Sequence, residues 1–150
     1  TACRRQRQMC IRDSSMTEKH NKEIAETIKS ALEFYKYELD LPLTNFIFQS
    51  PLHWNVMTII ALATFDREQT TSFQHLCESI SPKTGSKSSI QSIIEMGIQR
   101  GFIKKSPLHN DRRIKSLELT EAAAKDYENW VRADATTFGP LNGVAMKTPK

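Results

Sequence analysis

The chain has 150 residues, 39% of them hydrophobic and 25% charged, enough for one domain with a real core and too apolar for its middle to be disordered. Its net charge is +4 and its pI about 9.0, but the charge is unevenly placed. Residues 1–15 carry a net +3, residues 16–82 carry −4, residues 83–115 carry +6 and residues 116–150 carry −1. The longest apolar run, Trp54 to Phe65, is twelve residues interrupted by Asn55, Thr58 and Thr64. A membrane-spanning helix needs about 20. No apolar segment of the secretory kind follows the basic start. Cys3, Cys10 and Cys77 form an odd, sparse set without a CxxC pair, which points to a reducing, cytoplasmic setting rather than a disulfide scaffold.

The first fifteen residues lack apolar periodicity and read as a disordered or non-native leader, with Met16 a sensible native start. Ser15-Met16-Thr17-Glu18 has the form of a capping box and opens a predicted helix from Thr17 to Leu39. Ile24, Ile28, Ala31, Leu32, Tyr35 and Leu39 recur on one face at helical spacing. Lys22, Glu26, Lys29, Glu33 and Lys36 form a solvated opposite face, and Asp40-Leu41-Pro42 ends the helix. Leu43 to Phe48 reads as a short turn or helix. Ser50-Pro51 starts the next helix, with Leu52, Val56, Ile59, Ile60 and Ala63 inward and Trp54 partly buried.

A short helix over 72–79 follows, with Thr71 to Gln74 as its capping box and Phe73, Leu76 and Ile80 inward. The turn Ser81 to Gly85 leads into a helix from Lys87 to Arg100, whose apolar face is Ile90, Ile93, Ile94, Gly97 and Ile98. Its start carries Lys87, Ser88, Ser89, Gln91 and Ser92. Three serines are poor helix formers but suit a surface pressed closely against a ligand. Gly101 caps its C-terminus. Two strands follow, Phe102 to Lys105 and Arg113 to Leu119, joined by a loop. Thr120 then caps a last helix from Glu121 to about Ala133, with Ala124, Tyr127 and Val131 inward. Residues 135–150 read as a flexible tail.

Helix, turn, helix and hairpin in this order describe a mainly α fold with a small β-hairpin wing, a winged helix-turn-helix flanked by N- and C-terminal helices over residues 16–134. From about Leu43 to Tyr127 the chain resembles the MarR-type bacterial transcriptional regulators. Lys87 to Ile94 looks like that family's Lys-Ser-Thr-Val-Ser-Arg-Leu-Val run. Gly101-Phe102-Ile103 matches the Gly-apolar-apolar step after its recognition helix. Asp111-Arg112-Arg113 and Leu117 to Thr120 match its wing motif, Asp-x-Arg followed by a strand ending Leu-Thr. The resemblance implies a homodimer on duplex DNA, with a small-molecule effector of unknown identity. It assigns Asp111 as organiser of the wing and Arg113 as reader of the minor groove, with Arg112 and Lys115 on phosphates. The family often has arginine where Ser92 stands, and a longer C-terminal helical region than the one read here.

Physical chemistry supports the same placement. A helix fits the major groove, with its N-terminal residues nearest the bases. Gln91 suits adenine, Lys87 suits phosphate or guanine, and the short serines let the backbone approach phosphate. The expected function is therefore sequence-specific DNA binding in transcription regulation. The competing class is a winged-helix protein-interaction module. His75 and Cys77 lack a second ligand pair, and no nucleophile, base and oxyanion set can be assembled. Neither a metal, a cofactor nor an enzymatic activity is expected. Residues Thr17 to Leu39 are the expected dimerisation element.

Overall fold

In a computed structural model, the backbone is described for residues 2–38, 40–107 and 113–138, and side chains for 17–37, 40–107 and 113–137. Among the described residues six helices and a hairpin follow in the order α1 (Ala2–Glu38), α2 (Pro42–Ile47), α3 (Pro51–Phe65), α4 (Phe73–Ser79), α5 (Lys87–Gln99), β1 (Ile103–Pro107), β2 (Lys115–Leu119) and α6 (Glu121–Phe138). Residues Glu38–Val131 form one compact unit, and the flanking segments form a second.

The core of the first unit is built by short capped helices. Ser50, in extended conformation, accepts a hydrogen bond from the His53 backbone N–H, and Pro51 occupies the first helical position of α3. Ser72 caps α4 through His75 N–H, and Ser86 caps α5 through Ser89 N–H. Phe46, Val56, Met57, Ile60, Leu76, Ile90 and Ile94 meet as fully buried side chains, closed by Ile103, Leu117 and Leu119 of the hairpin. At the end of α5 the chain reverses through Gly101, whose φ of +79° is a left-handed conformation that glycine adopts without penalty.

The two strands are antiparallel, pairing Ile103 with Leu119, Lys105 with Leu117 and Pro107 with Lys115. Their side chains alternate between two faces. The N–H groups of Leu117 and Leu119 on the edge of β2 are satisfied from outside the hairpin. Thr71 O accepts the first at 2.7 Å and Thr64 Oγ1 the second at 2.9 Å. Thr120 ties the hairpin to α6 and α5, since its hydroxyl donates to Gly101 O and accepts from Ala123 N–H.

Several sequence expectations are corrected. The helix expected to start at Thr17 runs from Ala2, so the segment read as a disordered or non-native leader is helical as far as its backbone is described. A capping box marks a helix start only where the preceding residues leave the helix, and Ala, Arg, Gln and Met before Ser15 are good helix formers. The last helix continues past Ala133 to Phe138, taking in the first residues of the expected tail; residues 139–150 lie outside the described residues. Its buried face is Ala123, Tyr127 and Trp130, while Val131 is exposed and Ala124 half-buried. Trp130 packs on Phe48 and Tyr127, which sets that rotation. The cap of α4 is Ser72; Thr71 is buried and serves the hairpin instead. Phe73 and Ile98, expected inward, are exposed, whereas Trp54, expected to be partly buried, is 43% exposed.

The flanking unit contains α1 up to Tyr37 and α6 from Arg132. On α1 the expected inward stripe is only partly covered. Ile24, Ala31 and Tyr35 are half-buried, but Ile28 is 55% and Leu32 66% exposed. Leu39 lies outside the described residues.

Candidate nucleic-acid interface

The serine-rich start of α5 is organised by a single cap. Ser86 Oγ accepts from the Ser89 backbone N–H at 3.2 Å, and lies 3.1 Å from Ser88 Oγ and 3.0 Å from Ser89 Oγ. Lys87, Ser88 and Ser89 are exposed at this end, where the unpaired N–H groups of the first turn carry partial positive charge. Ser92 is exposed one turn further on, and Gln91 is half-buried. The opposite face, Ile90, Ile93, Ile94 and Gly97, is core. Gly97 is needed there: a Cβ at this position would stand 2.4 Å from Ile103 Cδ1.

Wing and helix face one another. A groove of about 290 Å³ runs between α4, α5 and the hairpin, with Ser72, Gln74, Gln91, Lys105 and Lys115 on its walls and Ile94 and Leu117 at its base. Lys105 belongs to this site, although the sequence could not distinguish it from its neighbour. Strand alternation sends Lys104 to the other face, where its Nζ stands 3.7 Å from Glu118 Oε2. Arg113 is exposed at the base of the wing loop. Asp111 and Arg112 lie outside the described residues. Of the nine residues expected at the interface, the structure places Lys87, Ser88, Ser89, Gln91 and Ser92 on one helix, and Arg113 and Lys115 on the adjoining wing.

Behind α5 lies a second groove, lined by Ser50, His53, Ser89, Ser92, Met96 and Arg100 among others. Ser50 Oγ is 2.7 Å from His53 Nδ1, and the Arg100 guanidinium stacks 5.5 Å above the Phe46 ring that His53 also meets edge-on. Partial burial, and secondarily the charge of Arg100, hold the His53 pKa below its ordinary value. Among the described residues no group of three or more His, Cys, Asp and Glu side chains could hold a metal ion, and no helix is long and apolar enough to cross a membrane.

No family model and no curated protein matches the chain. Solved structures do. NadR in complex with 4-hydroxyphenylacetate shares 19% identity over 78% of this chain and 76% of its own, with a TM-score of 0.50. A ZitR mutant from Lactococcus lactis (15% identity, 86% and 84% coverage, TM-score 0.49) and the heme-bound heme sensor PefR from Streptococcus agalactiae (18%, 81% and 76%, TM-score 0.45) are also similar. The likeness to NadR, taken with the helix-turn-helix and hairpin described above, establishes the fold as a winged helix.

Proposed function

We propose that this protein is a MarR-type transcriptional regulator that binds duplex DNA sequence-specifically, as a homodimer in the cytoplasm. One observation carries the reading: Gln91 of α5 and the wing lysines Lys105 and Lys115 line a single groove. In this reading α5 enters the major groove, with Lys87, Ser88, Ser89, Gln91 and Ser92 at base edges and phosphates. The wing lies along the backbone, with Arg112 and Lys115 on phosphates and Arg113, organised by Asp111, in the minor groove. The exposed Ile28 and Leu32 of α1 are the surface on which a second copy would pack. A small-molecule effector belongs to the same reading, in line with the 4-hydroxyphenylacetate complex of NadR; nothing in it calls for a cofactor or catalysis.

Selection of duplexes from genomic DNA, followed by sequencing, tests the proposal. The expected result is an enriched site with two half-sites about one helical turn or a multiple apart. Binding should weaken steeply with salt and fall in Lys87→Ala and Arg113→Ala without loss of fold. A folded protein that enriches no duplex at low salt would point instead to the protein-interaction module.

A further inference from the structure

Helix α5 carries one carboxylate, Glu95, whose polar neighbours on the helix surface are Lys, Ser and Gln. A negative charge there opposes an approach to phosphate, so its placement calls for a reason. The reason lies one turn away: Gln91 Nε2 donates a 3.0 Å hydrogen bond to Glu95 Oε1.

A carboxylate accepts hydrogen bonds and donates none. It therefore decides which end of the Gln91 amide turns toward it. The nitrogen faces Glu95, and one of its two hydrogens is used. What Gln91 has left for another partner is its Oε1 and a single N–H. Adenine shows the major groove a donor, N6–H, beside an acceptor, N7; guanine shows two acceptors, O6 and N7. An unrestrained glutamine meets either base, since it can give oxygen plus N–H to adenine or both N–H groups to guanine. With one N–H committed to Glu95, only the adenine pattern is matched.

We propose that Glu95 sets the base preference of this interface, acting through Gln91 to favour adenine over guanine. The inference rests on the DNA-binding reading given above. Glu95 is a positioning residue and touches no base itself. Both side chains reach the solvent, so neither is needed for the core.

The test uses the full chain and a pool of randomised duplexes, selected in parallel with the wild type, Glu95→Ala, Gln91→Ala and the double variant. The enriched site and its single A-to-G change are then titrated. The wild type should prefer adenine at one base pair of each half-site by roughly fivefold or more, the low end of what a bidentate contact provides. Glu95→Ala should abolish most of that preference while leaving the other positions of the site unchanged. Gln91→Ala should abolish it as well, and adding Glu95→Ala to Gln91→Ala should change nothing further. Three results would overturn the assignment: an unchanged profile in Glu95→Ala, an affinity gain equal for all sequences, or a base-specific effect of Glu95→Ala that persists without Gln91. The equal gain would mean that Glu95 only repels phosphate. A wild type that enriches no duplex overturns the DNA-binding reading and this inference together, whereas the three results above leave DNA binding standing.

Discussion

The hydroxyl of Thr64, in the last turn of α3, accepts a 2.9 Å hydrogen bond from the backbone N–H of Leu119 at the end of β2, fifty-five residues away in sequence. The same hydroxyl donates to Ile60 O at 2.8 Å, so both of its roles are filled. Leu119 is almost fully buried, and without Thr64 its N–H would have no partner on that side. Thr64→Val keeps the shape and removes the acceptor. Leaving a buried donor unpaired costs about 1–3 kcal/mol. Chemical denaturation should show a loss of that size for Thr64→Val and a smaller one for Thr64→Ser, which keeps the oxygen. Equal stability in the valine variant would show that the wing is held without this bond.

The two neighbouring lysines of β1 should behave differently toward DNA. Lys105 shares the groove with Gln91, and Lys104 faces Glu118 on the other side of the hairpin. Each phosphate contact contributes about 0.9 to the slope of log affinity against log salt. Lys105→Ala and Lys115→Ala should each lower that slope by about this amount per subunit, and Lys104→Ala should leave it unchanged. A matching loss in Lys104→Ala would show that the duplex does not lie on the groove side of the wing.

Exposed apolar side chains on α1 predict association. Ile28 and Leu32 stand four residues apart on one helix face, more than half exposed. Sedimentation should report a dimer for the wild type. Leu32→Glu should shift it toward monomer with its winged-helix unit still folded, because a charge at a covered apolar contact is left without a partner. A Leu32→Glu variant as dimeric as the wild type would remove this face from the interface.

His53 gives the stability a pH dependence with a defined sign. Its folded-state pKa lies below the unfolded value, first because of burial and second because of Arg100. The unfolded chain therefore binds the proton more readily. The contribution of His53 is present above an unfolded pKa of about 6.5 and is lost as pH falls through the folded value. Thermal unfolding between pH 7.5 and 5 should show a drop that is shallower in His53→Gln. Parallel curves would mean that other groups carry the acid sensitivity.

What could be read from sequence follows the range of the interaction concerned. The Ser50, Ser86 and Thr120 caps each close a hydrogen bond to an N–H three residues on, and the spacing alone reveals two of them. For α5 the expected first residue, Lys87, is observed, and its cap Ser86 emerges only from the structure. The start of α1 was misplaced because Ser15 to Glu18 can form a capping box only if the chain before it is not helical, a condition those four residues do not contain. Phe73 and the buried face of α6 depart from the sequence expectation for a different reason. An apolar side chain has a favoured environment but no favoured neighbour, so which face turns inward depends on the element that packs against it.

By itself the sequence determined the order of helices, turn and hairpin, the reversal at Gly101 and the concentration of positive charge between residues 83 and 115. These follow from periodicity, capping and backbone freedom, all of which act within a few residues. Only the tertiary structure decided that Lys105 joins Gln91 across a groove while Lys104 pairs with Glu118, and that Thr64 and Thr71 hold the edge of the wing. Strand alternation separates the two lysines, but the side that faces α5 is chosen by burying Ile103, Leu117 and Leu119 against helices far away in sequence.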